Sequence, residues 1–213
     1  MDYKLKVCGM KDPGNIWEVV EFDPDYLGFI FYPSSPRYFD IHSDPETIRN
    51  IPAHIQKIGV FVNEHPEVII SLAEKFQLQG IQLHGNETPE VCRLIKLAGY
   101  ITIKAFAIDN NTDFSELKEF ENVVDYYLFD TKTPLFGGSG KTFDWQILNN
   151  YPIQKPYFLS GGISLEHAGE IRNLTGYPIH AIDINSRFEI QPGLKDVERI
   201  KHFKEKLRGK FTT

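Results

Sequence analysis

The sequence has few cysteines, the residues that form the disulfides of small secreted proteins and many of their metal sites. It has two cysteines, Cys8 and Cys92, in 213 residues, which excludes a disulfide framework and favours reduced thiols in the cytoplasm. Histidine and cysteine are not clustered at zinc-ligand spacings, so we expect no metal site. The N-terminus lacks a signal-peptide core and no apolar run approaches the length of a bilayer span, so we expect no membrane partner.

Positive charge is also scarce. Lysine and arginine number 23 against 29 aspartates and glutamates, and they form no basic stripe, so a nucleic-acid partner is not expected. Apolar residues, by contrast, make up 41% of the chain and include 16 phenylalanines, which is enough for a sizeable core. No linker-like segment divides the sequence, and we predict a single domain over residues 1–213.

One glycine-rich run, Gly137-Gly138-Ser139-Gly140-Lys141-Thr142, looks like the loop that holds nucleotide phosphates. That pattern requires a glycine five residues before the glycine that precedes the lysine. The position holds Leu135. The spacing therefore argues against a nucleoside triphosphate site, and we expect the protein to need no cofactor.

Short strand-like runs alternate with amphipathic helix-like segments along the chain. Helical periodicity is clear over Pro66–Phe76, Pro89–Ala98 and Asp196–Leu207, and weaker over Asp113–Phe120. The predicted strands are Leu5–Gly9, Leu27–Tyr32, Lys57–Val62, Gly80–His84, Ile101–Phe106, Tyr126–Asp130, Tyr157–Leu159 and Ala181–Ile184. Eight such units predict a (β/α)₈ barrel in a short version with trimmed helices, whereas fewer would favour an open doubly wound sheet.

Polar side chains stand near the ends of four predicted strands, where barrel enzymes place their chemistry. Alternation puts Cys8, His84, Asp130 and Asp183 on the lumen side. Each has an ordinary structural explanation, as a small buried residue, a core histidine, a loop cap or an ion-pair partner. Their joint occurrence on four strands suggests a site. Cys92 lies on the apolar side of a predicted helix and is interpreted as structural.

The loops after the seventh and eighth predicted strands suggest a phosphate site. Glycine allows the backbone N–H groups to approach an anion closely, and in barrels these two loops often bind phosphate. The candidate ligands are Gly161, Gly162, Ser186 and Arg187, with Arg187 as a charged donor. A plain tight turn is the alternative for the glycine pair.

These features belong to a series of motifs that follow one another along the whole chain. The stretches are Lys6–Met10, Gly28–Tyr38, Gly59–Asn63, Gln82–Glu87, Gly137–Trp145, Ser160–Ile163 and Pro192–Asp196. In this order and spacing they resemble phosphoribosylanthranilate isomerase, a small (β/α)₈ barrel family of tryptophan biosynthesis. Each motif alone is weak, but together they are highly specific.

The resemblance implies an Amadori rearrangement of N-(5-phosphoribosyl)anthranilate to 1-(2-carboxyphenylamino)-1-deoxyribulose 5-phosphate. The family's general base matches Cys8 and its general acid matches Asp130. Arg37 matches the arginine that holds the anthranilate carboxylate, and His84 and Asp183 match residues that line the substrate pocket. The small-molecule substrate is then the only expected partner, and we expect a monomer.

The resemblance also reinterprets the glycine-rich run, because the family's loop after strand six lies over the sugar-phosphate site. We predict that Gly137, Gly138 and Gly140 let this loop act as a lid. One departure from the family is Arg187, since many members have glycine after the serine that follows strand eight.

Three other readings stay open. Lys6 and Lys104 leave room for the related indoleglycerol-phosphate synthase, which relies on lysine and glutamate. A histidine-pathway isomerase would need an aspartate where strand one ends in Cys8. A barrel without activity that binds a phosphorylated ligand as a sensor or scaffold is the alternative from a different class.

Overall fold

The computed structural model describes residues 3–131, 144–152 and 155–209. Eight parallel strands form a closed barrel, in which each strand pairs with the next and β8 pairs with β1. The barrel strands are β1 (Lys4–Cys8), β2 (Tyr26–Ile30), β3 (Gln56–Phe61), β4 (Gly80–Leu83), β5 (Ile101–Ile108), β6 (Tyr126–Thr131), β7 (Tyr157–Leu159) and β8 (Ile179–Ile184). The predicted (β/α)₈ barrel is confirmed.

Helices follow most of the strands, and several are short. The α-helices of the described residues are α1 (Pro13–Val20), α2 (Glu46–Arg49), α3 (Pro66–Phe76), α4 (Pro89–Leu97), α5 (Ala168–Arg172) and α6 (Val197–Leu207). Tighter 3-10 helices occupy Phe114–Phe120, Trp145–Asn150, Leu165–His167 and Ser186–Phe188. The trimmed helices expected from the chain length are therefore present after β5, β6 and β7. None of the described helices has the length and apolar character to cross a bilayer.

Helix starts follow from local sequence. Asp12 accepts a hydrogen bond from the Asn15 backbone N–H at 2.8 Å, and Asp196 accepts one from Arg199 at 3.0 Å. Each side chain replaces a partner that the first helical turn lacks. Proline follows the cap of α1, α3 and α4, where its missing N–H costs nothing.

Alternation along the strands separates an outer core from the barrel lumen. Leu5 and Val7 of β1 pack outward in the cluster that contains α1, whereas Lys6 points inward and is fully buried. The lower lumen is filled by Tyr26, Ile58, Ile103, Ala105, Leu128, Phe158 and Ala181. Polar side chains lie above this apolar layer, toward the carboxyl ends of the strands.

A small hairpin that the sequence did not predict follows β8. It consists of β9 (Glu189–Gln191) and β10 (Leu194–Lys195). Asn15 of α1 anchors it, because the Lys195 N–H donates to Asn15 Oδ1 at 2.6 Å and the Lys195 carbonyl accepts from Asn15 Nδ2 at 3.0 Å. The hairpin therefore holds two charged side chains, Glu189 and Lys195, beside the barrel mouth.

Candidate active site

A cavity of about 280 Å³ opens at the carboxyl ends of the strands. Four residues predicted from the strand ends, Cys8, His84, Asp130 and Asp183, all line it. The other lining residues are Ile30, Tyr32, Ser35, Pro36, Arg37, Val60, Val62, Gln82, Ser160, Gly161, Gly162, Ile163, Asn185 and Ser186. The apolar members suit an aromatic ring, and the polar members suit a charged, hydroxylated ligand.

Lys6 links two polar side chains at the floor of this cavity. Its Nζ donates to Gln82 Oε1 and to Asp183 Oδ2, both at 2.9 Å. The other oxygen of Asp183, Oδ1, is buried and has no hydrogen-bond partner among the described residues. Burial raises the pKa of Asp183, against the pull of Lys6. Asp183 therefore offers an unused acceptor at the floor of the cavity.

Hydrogen bonds extend from this floor to Asp130. The Lys6 ammonium can only donate, so Gln82 Oε1 accepts and the Gln82 amide nitrogen faces His84 Nδ1 at 2.7 Å. Nδ1 is then the acceptor, so the ring N–H lies on Nε2. That nitrogen is 3.4 Å from Asp130 Oδ2. The orientation of His84 toward Asp130 thus follows from a lysine on β1.

The two cysteines occupy different environments. Cys8 is buried but borders the cavity. Cys92 lies on the buried face of α4. Burial raises the pKa of Cys8, and the charges of Lys6 and Lys195 oppose that effect only in part. Burial raises the pKa of Cys92 to about 12. The sequence pattern did not indicate that Lys6 pairs with Asp183 or that Lys195 lies near Cys8.

Arg37 borders the cavity and is held by a carboxylate. Its Nε donates to Glu189 Oε1 at 2.9 Å and Oε2 at 3.0 Å, and its Nη2 donates to Oε2 at 2.6 Å. Lys195 Nζ donates to the same Glu189 at 2.7 Å. Neither Glu189 nor Lys195 was predicted as a site residue, although Lys195 lies in the Pro192–Asp196 motif.

Three of the four residues predicted to bind phosphate border the cavity. Gly161 and Gly162 adopt positive φ angles of 91° and 61°, and they line the cavity together with Ser186. Arg187 is exposed and is not among the lining residues. The lid glycines Gly137, Gly138 and Gly140 lie outside the described residues. No group of three or more His, Cys, Asp or Glu side chains in the described ranges is arranged to hold a metal ion.

Comparison with known proteins gives one consistent result. The model of the N-(5'-phosphoribosyl)anthranilate (PRA) isomerase family matches residues 5–206. A relative of that name from Parabacteroides distasonis is 44% identical over 204 residues, which cover 95% of this chain and 92% of the relative.

Solved structures agree. A phosphoribosyl anthranilate isomerase in complex with reduced 1-(o-carboxyphenylamino)-1-deoxyribulose 5-phosphate superposes with a TM-score of 0.80 at 32% identity, over 97% of this chain and 99% of that one. Monomers generated from the dimeric isomerase of Thermotoga maritima superpose with a TM-score of 0.80 at 33% identity, over the same shares.

Proposed function

Because this chain belongs to the N-(5'-phosphoribosyl)anthranilate isomerase family, we propose that Cys8 is its general base and Asp130 its general acid. The chain is an isomerase of tryptophan biosynthesis, and it carries out the Amadori rearrangement that the sequence motifs implied. The observation that supports the two roles is that both side chains border one cavity at the barrel mouth, on β1 and β6.

The reaction needs one proton donor and one proton acceptor. Asp130 gives a proton to the furanose ring oxygen, and the ring opens to a Schiff base. Cys8, as the thiolate, then removes the proton from C2′, which yields an enolamine that tautomerises to the ketone. The Lys6 and Lys195 charges favour the thiolate that burial opposes.

The remaining predicted residues bind the substrate in this proposal. Arg37 takes the anthranilate carboxylate, for which a guanidinium is well shaped. Asp183 Oδ1 accepts from a sugar hydroxyl, since it is buried beside the cavity without a partner in the described residues. His84 borders the same part of the cavity.

The phosphate lies against the loop that follows β7. Gly161 and Gly162 present their backbone to the cavity, and Ser186 faces them from the loop after β8. Arg187 remains a predicted phosphate ligand, but its exposed position outside the cavity lining gives it no support.

The domain organisation, oligomeric state and cellular location are also proposed. Residues 1–213 act as one domain, because all eight strands close a single barrel, and we keep the monomer expected from the sequence. Sedimentation at micromolar concentration tests this, and a dimer such as that of the Thermotoga maritima relative would contradict it. The cytoplasm is the proposed location, in keeping with two free cysteines.

The decisive experiment is complementation of a tryptophan auxotroph that lacks this isomerase, together with a fluorescence assay of substrate consumption by the purified chain. We expect growth without tryptophan for the wild type and none for Cys8→Ala. Growth supported by both Cys8→Ala and Asp130→Asn would refute the proposed acid and base.

A further inference from the structure

Glu189 holds Arg37 by one edge of its guanidinium group. The three hydrogen bonds to Glu189 come from Nε and Nη2, and no described residue is a hydrogen-bond partner of Nη1. A guanidinium group has five N–H donors in a rigid plane, so one edge can bind one carboxylate while another edge binds a second. Arg37 borders the cavity, where a second carboxylate would arrive with the substrate.

Glu189 is itself fixed from several directions. Its side chain is 4% exposed, and its Oε1 also accepts from Lys195 Nζ at 2.7 Å and from the Gly193 N–H at 3.1 Å. Burial opposes the charged form of Glu189, but Arg37 and Lys195 outweigh it and lower its pKa. Glu189 therefore favours its ionised form and accepts hydrogen bonds from three residues, and the orientation of Arg37 follows from it.

Lys195 offsets the negative charge that Glu189 brings to the edge of the cavity. Arg37 and Glu189 alone would form a neutral pair, and the charge of Glu189 would repel an anionic ligand. The Lys195 side chain is fully buried, and its Nζ donates to Asn185 Oδ1 as well as to Glu189, both at 2.7 Å. Burial lowers the pKa of Lys195, and the neighbouring charge of Glu189 opposes that effect. With Lys195 in its charged form, two cations and one anion leave one positive charge in excess at the edge of the cavity.

We propose that Glu189 and Lys195 are positioning residues for Arg37: Glu189 orients the guanidinium group, and Lys195 cancels the charge of Glu189 so that Arg37 attracts the substrate carboxylate. This inference rests on the proposed role of Arg37 in carboxylate binding. It gives a role to the Pro192–Asp196 motif, which carries Lys195 on β10.

The test compares kcat/KM for the natural substrate with kcat/KM for N-(5-phosphoribosyl)aniline, which lacks the carboxylate. The ratio of the two values isolates the carboxylate, because any effect of Lys195 on Cys8 is common to both substrates. We expect Lys195→Met to lower this ratio about tenfold or more, since one positive charge is lost at a desolvated site.

The double variant Glu189→Gln with Lys195→Met gives the sharper result. It removes both the anion and its balancing cation, so the single charge of Arg37 is restored. We expect the ratio to recover at least threefold relative to Lys195→Met, about half of the tenfold loss on a logarithmic scale. A role in packing alone predicts the opposite, because two altered buried residues should do more harm than one.

One control and one substitute variant complete the experiment. Lys104 forms a comparable buried ion pair with Glu87 at 3.1 Å, and neither residue lines the cavity. Lys104→Met should lower the melting temperature without changing the ratio. If Lys195→Met does not fold, Lys195→Gln replaces it, because glutamine is uncharged but can still donate to Glu189.

Arg37→Ala distinguishes the carboxylate-binding role of Arg37 from the positioning roles of Glu189 and Lys195. If it lowers kcat/KM equally for both substrates, the carboxylate role of Arg37 is wrong. If Arg37→Ala is selective but the Lys195 variant leaves the ratio unchanged, or the double variant fails to recover it although glutamine can still accept from Arg37, the charge balance between Glu189 and Lys195 is refuted while the carboxylate role of Arg37 stands.

Discussion

His84 Nε2 lies 3.4 Å from Asp130 Oδ2, and the opposite ring nitrogen receives the Gln82 amide at 2.7 Å. The ring therefore turns its N–H toward the proposed acid because of Gln82, which lies two residues earlier on β4. The same Gln82 is oriented by Lys6. The proposed acid on β6 is thus connected through β4 to a lysine two residues from the proposed base.

The first prediction concerns His84. If the ring fixes Asp130, His84→Ala should lower kcat about 10–100-fold, the scale of a misplaced catalytic group, with a smaller change in KM. The double variant with Asp130→Asn should lose less than the product of the two single losses, because His84 borders the substrate cavity and also holds that carboxyl group. Steady-state kinetics on the four proteins measures this. Losses that multiply would show that His84 acts on the substrate independently.

The second prediction separates the cysteines. Cys8→Ala should lower kcat about 10²–10⁴-fold, as for the loss of a general base. Cys92 is enclosed in α4, so Cys92→Ser should keep kcat but lose about 1–3 kcal/mol of stability through a buried hydroxyl. Turnover assays and thermal melts of both variants check this. A folded Cys8→Ala with near wild-type kcat would rule out the proposed base.

The third prediction follows from the raised pKa of Cys8. In a Cys92→Ser background, alkylation of Cys8 by iodoacetamide should accelerate about tenfold per pH unit between about pH 7 and 9, because only the thiolate reacts. The rate should not level off near the ordinary thiol pKa of about 8.5. A plateau at or below that pH would mean that Lys6 and Lys195 overcome burial.

The barrel and its strand ends could be predicted from sequence because they depend on local patterns. Alternation placed Cys8 and Asp130 on the lumen side, and apolar periodicity predicted helices such as Pro66–Phe76. Both signals span a few residues, and neither requires knowledge of distant contacts.

The charge network at the mouth could not be predicted in the same way. Arg37 and Glu189 are 152 positions apart, and they meet only when the barrel closes. The hairpin that carries Glu189 has strands of three and two residues, which are too short to show a period. The partners of Lys6 likewise depend on how β1 and β4 sit across the lumen. The motif around Lys195 was recognisable, but its contacts were not.

A fourth prediction concerns acid stability. His180 packs among Tyr26, Tyr126 and Phe158 at the amino-terminal end of the barrel, with Nε2 2.7 Å from the Tyr26 hydroxyl. Burial lowers the pKa of His180 from 6.5 to about 4. Between these values the unfolded chain binds a proton that the folded chain does not. The contribution of His180 is therefore complete above pH 6.5 and falls toward pH 4, by at most about 1.4 kcal/mol per pH unit.

Urea unfolding at several pH values measures this slope. His180→Gln should make the curve flatter in this range, because it removes the group that titrates there. Equal slopes in the wild type and His180→Gln would contradict the prediction.

The last prediction tests the loop after β7. Gly161 and Gly176 both have positive φ, 91° and 86°, so alanine at either position costs about 1–2 kcal/mol of backbone strain. A Cβ at Gly176 meets nothing within 4 Å, but one at Gly161 would lie 2.5 Å from the Thr131 backbone nitrogen and 3.0 Å from Asp130 Oδ1. Gly161→Ala must therefore displace the end of β6 together with the proposed acid.

We expect Gly176→Ala to lose stability by the backbone strain alone and to keep its kcat. Gly161→Ala should lose more stability and at least about tenfold in kcat, since catalysis is sensitive to shifts of about 1 Å. Thermal melts and turnover assays of the two variants compare them directly, and equal kcat values would show that the loop after β7 does not position Asp130.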